Sequence, residues 1–144
     1  MTRRLYVADV TVGSLMTRPV VTVRPDTTIA TLTALMQAHP FNGFPVVDEL
    51  GVLQGLATRA DLLKRHLAPY RRLITALDEP WTESVCAIMT RHPLVARPID
   101  AAVTAIHLAV DHRLRTIPVV EDSPAGVRLV GVVTRRDLTR ALID

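Results

Sequence analysis

Two short motifs in the sequence combine residue types that could bind a phosphorylated ligand. One is Thr58-x-x-Asp61 and the other is Thr134-x-x-Asp137. A threonine followed three residues later by an acidic residue is typical of a capping box, where a helix begins. The spare N–H groups and the positive dipole end of such a helix attract anions. The carboxylate suits two ribose hydroxyls, and the threonine hydroxyl can donate to phosphate.

A simpler interpretation of the same residues involves no ligand. Thr58 would cap the helix, and Asp61 would satisfy amides of its first turn. The motifs therefore leave two hypotheses open, a binding site and a helix cap.

Both motifs lie within a longer pattern that occurs twice, over Val12–Leu62 and Val85–Leu138. The matching positions are Met16-Thr17-Arg18 with Met89-Thr90-Arg91, Pro45-Val46-Val47 with Pro118-Val119-Val120, and Gly55 with Gly131. The offset is 73 residues up to the Val-Val pair and 76 after it, so a three-residue insertion lies around residues 122–128. Such a regular duplication predicts a pseudo-two-fold module with two equivalent clefts.

Each repeat is predicted to run strand, helix, strand, strand, helix, which gives a mixed α/β (α+β) fold. In repeat one the strands are Val20–Val23, Phe44–Val47 and Leu53–Ala57. Its first helix begins after Asp26-Thr27-Thr28, and its second helix covers about Ala60–His66. In repeat two the strands are Leu94–Ala96, Ile117–Val120 and Leu129–Val133, and the last helix is about Arg136–Ile143. Asp100 is the predicted cap of the other helix, whose apolar face would be Val103, Ile106 and Val110.

Neither repeat is expected to be stable unless it packs against the other. A unit of about 60 residues leaves one face of its small sheet uncovered, and the other repeat is the natural cover. The apolar turns Val12–Met16 and Val85–Met89 are predicted to pack under the neighbouring repeat. We draw the repeats at residues 10–68 and 84–144, with a connector at 69–83, and expect the two clefts where the repeats meet.

The composition argues against a membrane-spanning, a secreted or a nucleic-acid-binding protein. Hydrophobic residues make up 49% of the 144 residues, and no run approaches the 18 apolar residues of a membrane span. No apolar signal-peptide core follows the first residues, and the single cysteine, Cys86, agrees with a reducing compartment, so we expect a cytoplasmic protein. The net charge is only +3 and aromatic residues are 3%, which does not favour nucleic-acid binding.

The sequence gives little support for metal binding or catalysis. The five histidines show no metal-ligand spacing, and Cys86 lies in an apolar run typical of a buried side chain. No nucleophile elbow, Walker-type loop or acid–base carboxylate pair is present. We therefore expect a protein that is not an enzyme and that uses no catalytic cofactor or metal.

The duplicated pattern resembles a tandem pair of CBS domains, the regulatory unit named after cystathionine β-synthase and also called a Bateman module. The resemblance rests on the Met-Thr-Arg segments, the proline-led strands that end Val-Val-Asp48 and Val-Val-Glu121, and the closing Gly-x-x-Thr-x-x-Asp of both halves. It covers the chain from Val10 onward.

The resemblance implies roles for particular residues. The motif aspartates would hold ribose, and the motif threonines would reach ribose or phosphate. Adenine would lie against Val20, Val21 and Pro45 in one cleft and against Leu94, Val95 and Pro118 in the other. Arg115 and Thr116 would face phosphate in repeat two, where repeat one has the uncharged Asn42 and Gly43, interpreted instead as a helix C-cap. Further phosphate candidates are Arg59, Arg135 and Arg136.

The predicted function is that of a regulatory module that binds AMP, ADP or ATP and transmits a conformational change to a partner. The module is expected to form a homodimer and to act on an unknown effector, such as an enzyme or a transporter. One alternative is a dimerisation scaffold without a ligand, and another is a sensor of S-adenosylmethionine or a dinucleotide. The segment Phe41–Val47 also resembles part of the CBS pairs of ClC-type chloride channels and transporters, over seven residues only.

Overall fold

The computed structural model describes residues 9–72 and 83–143. The elements bounded within these ranges are five helices and five strands, so the predicted mixed class is confirmed. In chain order they are α1 (Val12–Leu15), α2 (Ile29–Ala38), β1 (Gly43–Val47), β2 (Leu53–Thr58), α3 (Arg59–Arg72), β3 (Thr90–Arg91), α4 (Ala102–Asp111), β4 (Thr116–Ser123), β5 (Gly126–Thr134) and α5 (Arg135–Ile143). A 3₁₀ turn covers Val85–Ala87.

Helix α2 begins and ends where local chemistry predicts. The Thr28 hydroxyl accepts a hydrogen bond from the Thr31 N–H at 3.2 Å, so the expected cap is confirmed. At the other end His39 has extended backbone angles, because the following Pro40 disfavours a helical residue before it. The chain then enters β1 at Gly43, which is therefore part of a strand and not the predicted C-cap.

The prediction of a first strand in each repeat was wrong. Within Val20–Val23 only Val23 makes a bridge, parallel to Val46, and within Leu94–Ala96 only Ala96 does, parallel to Val119. Each run is short and lies between prolines, which donate no main-chain hydrogen bond and so limit the ladder.

Helix α3 is longer than the predicted Ala60–His66. It continues to Arg72 and includes Pro69, which lies three residues before its end. A proline there removes a single helical hydrogen bond, and the helix persists. Residues 73–82, most of the predicted connector, lie outside the described residues.

For α4, the predicted cap was wrong and the predicted apolar face was confirmed only in part. Ala101 and not Asp100 is the residue at its N-cap, and the Asp100 carboxylate instead accepts the Arg97 N–H at 2.8 Å. The buried positions of the helix are its alanines, Ala102, Ala105 and Ala109. Of the predicted face, Ile106 packs against the core, whereas Val103 and Val110 are 37% and 69% exposed.

The described residues form two compact units. One comprises residues 9–20, 50–53 and 93–143, and the other comprises residues 21–49, 54–72 and 83–92. In the first unit Val12 is buried in a core with Ala105, Ile117 and Val119. Its main-chain N–H donates to the Asp100 carbonyl at 2.8 Å, so this apolar turn packs on residues of repeat two, as predicted.

The second unit repeats the arrangement with the other apolar turn. Val85 is buried in a core that contains Ile29, Leu32 and Phe44. Its N–H donates to the Thr27 carbonyl at 2.7 Å. The prediction that each turn packs under the opposite repeat is therefore confirmed for both, and we call residues 12–18 and 85–91 the leading segments.

The three-residue insertion lengthens one hairpin. Strands β4 and β5 pair antiparallel from Thr116 opposite Thr134 to Ser123 opposite Gly126, beyond the predicted strand ends. Gly126, at the turn, has a φ of 134°, a conformation that favours glycine. The extra length places Leu129 where its N–H donates to the Gly51 carbonyl at 3.0 Å.

Candidate functional sites

The Thr-x-x-Asp motif of repeat one lies where β2 becomes α3. The Thr58 N–H donates to Asp61 Oδ2 at 2.9 Å, and the Asp61 N–H donates to Thr58 Oγ1 at 3.2 Å. This reciprocal pair is the predicted capping box. It fixes the Asp61 carboxylate beside the positive end of α3.

The motif of repeat two forms the same pair where β5 becomes α5. The Thr134 N–H donates to Asp137 Oδ2 at 2.9 Å, and the Asp137 N–H donates to Thr134 Oγ1 at 3.2 Å. The Thr134 hydroxyl lies 3.0 Å from the same carboxylate oxygen. The sequence therefore predicted where both helices begin and which threonine and aspartate cap each of them.

A leading segment runs along the strand that precedes each motif. In one unit Thr90 pairs with Leu56, and in the other Thr17 exchanges main-chain hydrogen bonds of 2.7 and 3.2 Å with Val132. A Cβ atom at Gly55 would lie 2.7 Å from the Thr90 carbonyl oxygen, so the motif glycine allows this close approach. Gly131 is equally confined, because a Cβ atom there would lie 2.8 Å from Met16 Sδ.

The leading segments bring a threonine to each motif aspartate. Thr17 Oγ1 lies 3.3 and 3.2 Å from the two carboxylate oxygens of Asp137. Thr90 Oγ1 lies 3.5 Å from Asp61 Oδ2. Sequence reasoning missed both threonines as site residues. The signal was present, because Met-Thr-Arg is duplicated and the turns before it were expected to pack on the opposite repeat.

The two aspartates differ in their cationic neighbours. Arg140 Nη2 donates to Asp137 Oδ1 at 2.8 Å and to the Leu15 carbonyl at 3.0 Å. The corresponding residue three after Asp61 is Lys64, which is exposed. Within residues 9–72 and 83–143 no ion pair to Asp61 is formed.

Two of the predicted phosphate arginines donate hydrogen bonds to main-chain carbonyls of the protein. Arg59 Nη2 donates to the carbonyls of Met36 and His39 at 2.8 and 2.9 Å, and its Nε donates to the Phe41 carbonyl at 2.9 Å. Arg135 Nε donates in the same way to the Leu114 carbonyl at 2.8 Å. These guanidinium groups satisfy carbonyls around the ends of helices α2 and α4.

The other phosphate candidates lie at the start of α5. The Arg115 carbonyl accepts the Arg135 N–H at 3.2 Å, which places Arg115 beside the first turn of the helix. Arg115 and Arg136 are exposed, and neither side chain bonds to another residue of the described ranges. Thr116 is 8% exposed and pairs with Thr134 across the hairpin.

The predicted adenine-contacting residues fall into two groups. Val20, Val21 and Val95 are half-buried and Leu94 is 43% exposed, so these side chains retain accessible apolar surface. The side chains of Pro45 and Pro118 are below 2% exposed. Their carbonyls instead accept main-chain hydrogen bonds from Val23 and Ala96, both at 3.0 Å. The prolines therefore position the neighbouring apolar segments.

The described residues contain neither of two further kinds of site. No group of three or more histidine, cysteine, aspartate or glutamate side chains is placed to hold a metal ion in those ranges. No helix there combines the length and apolar character needed to cross a bilayer.

Comparison with protein families identifies both repeats. The family model described as CBS domain matches residues 12–68 and again residues 85–144. The CBS domain-containing protein YhcV of Bacillus subtilis is 32% identical over 127 residues, which cover 88% of this chain and 81% of that protein. Inosine-5'-monophosphate dehydrogenase of Methanocaldococcus jannaschii is 28% identical over 123 residues, and the matched part is only 22% of the enzyme. Several curated relatives are much longer, and the chain spans about a third of their length or less.

Solved structures agree with the family model. A crystal structure of CBSX2 in complex with AMP has a TM-score of 0.78 and 30% sequence identity to this chain. The similarity covers 92% of this chain and 96% of that one. CBSX2 from Arabidopsis thaliana was also solved as a CBS-pair protein, with a TM-score of 0.76 and 29% identity.

Proposed function

The chain belongs to the CBS domain family, and we propose that it is a ligand-sensing regulatory module that binds an adenine nucleotide, AMP, ADP or ATP. One observation carries the proposal. At the start of a helix, a threonine and an aspartate are held together in each repeat by reciprocal hydrogen bonds between side chain and main chain. The similarity to a CBS-pair structure that contains AMP supports the choice of ligand.

The chemistry of the motif suits the two polar parts of a nucleotide. A carboxylate accepts hydrogen bonds from both ribose hydroxyls, and a helix N-terminus attracts the phosphate. In repeat one the Asp61 Oδ2 atom accepts the Thr58 N–H, and Oδ1 accepts no hydrogen bond from the described residues. Asp61 thus combines a fixed orientation with remaining acceptor capacity.

The other predicted contacts complete the proposed sites. Adenine would lie against the half-buried apolar side chains of Val20 and Val21 in one site, and against Leu94 and Val95 in the other. Arg115, exposed beside α5, would neutralise phosphate in repeat two. The position of the ligand between the repeats stays a prediction, as do the drawn repeat boundaries.

We expect ligand binding to be transmitted through the leading segments. Each leading segment contributes a threonine to a motif aspartate that belongs to the opposite repeat. A ligand that engages the aspartate would therefore shift the leading segment, and an effector would respond to that shift. The effector would be a separate enzyme or transporter or another domain of a longer chain. Homodimer formation and a cytoplasmic location stay predictions from the sequence.

A second candidate function, a dimerisation scaffold without a ligand, is favoured by one observation. The hydrogen bonds of both capping boxes are internal, so the threonines and aspartates have a structural role whether or not a nucleotide binds. The two functions differ in whether any adenine compound stabilises the fold.

Thermal unfolding with AMP, ADP, ATP, S-adenosylmethionine and NADH, each added singly, tests the proposal. A nucleotide at about one hundred times its dissociation constant should add roughly 2.7 kcal/mol of stability, which raises the midpoint by several degrees. The Asp61→Asn variant, which keeps an oxygen to accept the Thr58 N–H, should lose most of that shift. A shift with S-adenosylmethionine or NADH alone would replace the ligand class, and no shift with any compound would favour the scaffold.

A further inference from the structure

We infer that the two motif aspartates are not equivalent, and that nucleotide binds at Asp61 while Asp137 is closed to ribose by Arg140. This inference rests on the proposed function and specifies which of the two sites performs it. It is drawn from the hydrogen bonds that each carboxylate already accepts.

The Asp137 carboxylate has its acceptor capacity filled. Its Oδ1 atom accepts Arg140 Nη2 at 2.8 Å and lies 3.3 Å from the Thr17 hydroxyl. Its Oδ2 atom accepts the Thr134 N–H at 2.9 Å and lies 3.0 and 3.2 Å from the hydroxyls of Thr134 and Thr17. A carboxylate offers about four lone-pair sites. A ribose could bind Asp137 only by displacing partners that are already in place.

Burial opposes such a displacement. Asp137 is 7% exposed, whereas Asp61 is only half-buried. The side chain of Arg140 is itself 57% exposed, and an ion pair on the surface alone would be a weak obstacle. However, its partner carboxylate is only 9% exposed, and Arg140 Nη2 also donates to the Leu15 carbonyl at 3.0 Å. Removal of Arg140 from Asp137 would therefore leave a buried carboxylate without its cation and break a tie to the leading segment.

The Asp61 carboxylate is free of each of these constraints. Its Oδ2 atom accepts the Thr58 N–H at 2.9 Å, and the Thr90 hydroxyl is 3.5 Å away, at the limit of a hydrogen bond. No described residue donates to its Oδ1 atom. The residue that corresponds to Arg140 is the exposed Lys64. Asp61 can therefore accept ribose hydroxyls without losing a partner.

This assignment reverses the order expected from phosphate contacts alone. Arg115, which is exposed, would give the repeat-two site a phosphate partner that repeat one lacks. A phosphate contact without a free carboxylate would hold only one end of a nucleotide. The carboxylates therefore decide which site binds, and one AMP per chain is expected.

Isothermal titration calorimetry with AMP tests the inference on five forms of the full chain. Wild type should bind one AMP per chain, and Asp61→Asn should weaken that binding at least tenfold. Arg140→Met should release Asp137 and raise the stoichiometry to two. Lys64→Met, the matched change beside Asp61, should leave the stoichiometry at one. The double variant Asp61→Asn/Arg140→Met should bind one AMP, now at Asp137.

The outcomes separate failure of the inference from failure of the proposed function. Two AMP molecules bound to wild type, or wild-type affinity in Asp61→Asn, would overturn the inference and leave the function intact. Asp61→Asn gives this answer even if Arg140→Met does not fold, because it retains the capping hydrogen bond. An absence of AMP binding to folded wild type would overturn the proposed function, and the inference with it.

Discussion

Thr17 and Asp137 are 120 residues apart in the chain, yet the Thr17 hydroxyl lies 3.3 and 3.2 Å from the two carboxylate oxygens of Asp137. The contact joins a leading segment of repeat one to the first turn of α5 in repeat two. Together with the apolar packing of Val12, it explains why the duplicated Met-Thr-Arg and Gly-x-x-Thr-x-x-Asp patterns occur together. Each pattern supplies one side of the same contact.

The Thr17→Val variant should lower the free energy of unfolding by about 1 kcal/mol, because it removes a hydroxyl that bonds to a buried carboxylate. Thr90→Val is the matched change in the other repeat. It should cost less than about 0.5 kcal/mol, since the 3.5 Å contact with Asp61 is at the limit of a hydrogen bond. Urea denaturation of both variants measures the difference. Equal losses would contradict the stronger anchoring of Asp137.

The Gly55→Ala variant should destabilise the fold by about 1–3 kcal/mol, because the added methyl group would lie 2.7 Å from the Thr90 carbonyl oxygen. Gly43→Ala, in the neighbouring strand, is the control. Its methyl group would meet the Leu56 side chain at an ordinary 3.4 Å. Denaturation midpoints of the two variants test whether the motif glycine is required for the close approach of β3.

Glu83 is predicted to make stability depend on pH. The hydrogen bond from Arg65 lowers the pKa of the Glu83 carboxyl below its ordinary value, and desolvation opposes the shift only in part. Because the pKa is lower in the folded state, the contribution to stability is present above the pKa of the carboxyl in the unfolded chain, about 4.3. It is lost as the pH falls through the lower, folded-state value.

The Glu83→Gln variant measures this contribution. Since Glu83 and Arg65 are 33% and 18% exposed, the loss at pH 7 should be no more than about 1 kcal/mol. The difference from wild type should shrink as the pH falls from 5 towards 3 in denaturant titrations. Glu49→Gln removes an exposed carboxylate and is the matched control. A difference that grows on acidification would show that the sign is wrong.

The Arg59→Ala variant separates a structural from a ligand-binding role. It removes hydrogen bonds to three carbonyls, so the free energy of unfolding should fall by about 2 kcal/mol. AMP affinity of the folded protein should stay within about twofold of wild type, a change of roughly 0.4 kcal/mol. Arg24→Ala, an exposed change, controls for the lost charge. A tenfold loss of AMP affinity in Arg59→Ala would restore it as a phosphate-binding residue.

Local patterns predicted the parts of this fold that depend on neighbouring residues. The capping boxes at Thr58 and Thr134 involve residues three apart, so their hydrogen bonds could be expected from the sequence. The cap at Thr28 and the end of α2 before Pro40 are local for the same reason. The position of Arg140 on Asp137 is local too, but an arginine three residues after an aspartate is too common to indicate an ion pair.

Features that depend on distant residues were not predicted. Helix α4 is apolar around most of its circumference, so its periodicity did not show which residues face the core. Packing selects its alanines, and Val103 and Val110 remain exposed. Likewise the β-branched run at Val20–Val23 suggests a strand, but only Val23 finds a partner. The contacts of Thr17 and Thr90 required knowledge of where each leading segment packs.

The affinity of the full chain for AMP, measured by equilibrium dialysis for wild type, Asp61→Asn and Asp26→Asn, tests the central claim most directly. Asp26 is exposed, and its substitution controls for the loss of one negative charge. Wild type and Asp26→Asn should show equal, saturable binding, and Asp61→Asn should bind at least tenfold more weakly, a loss of about 1.4 kcal/mol or more. Absence of saturable binding to wild type, or equal affinity in all three forms, would contradict an adenine-nucleotide site at Asp61.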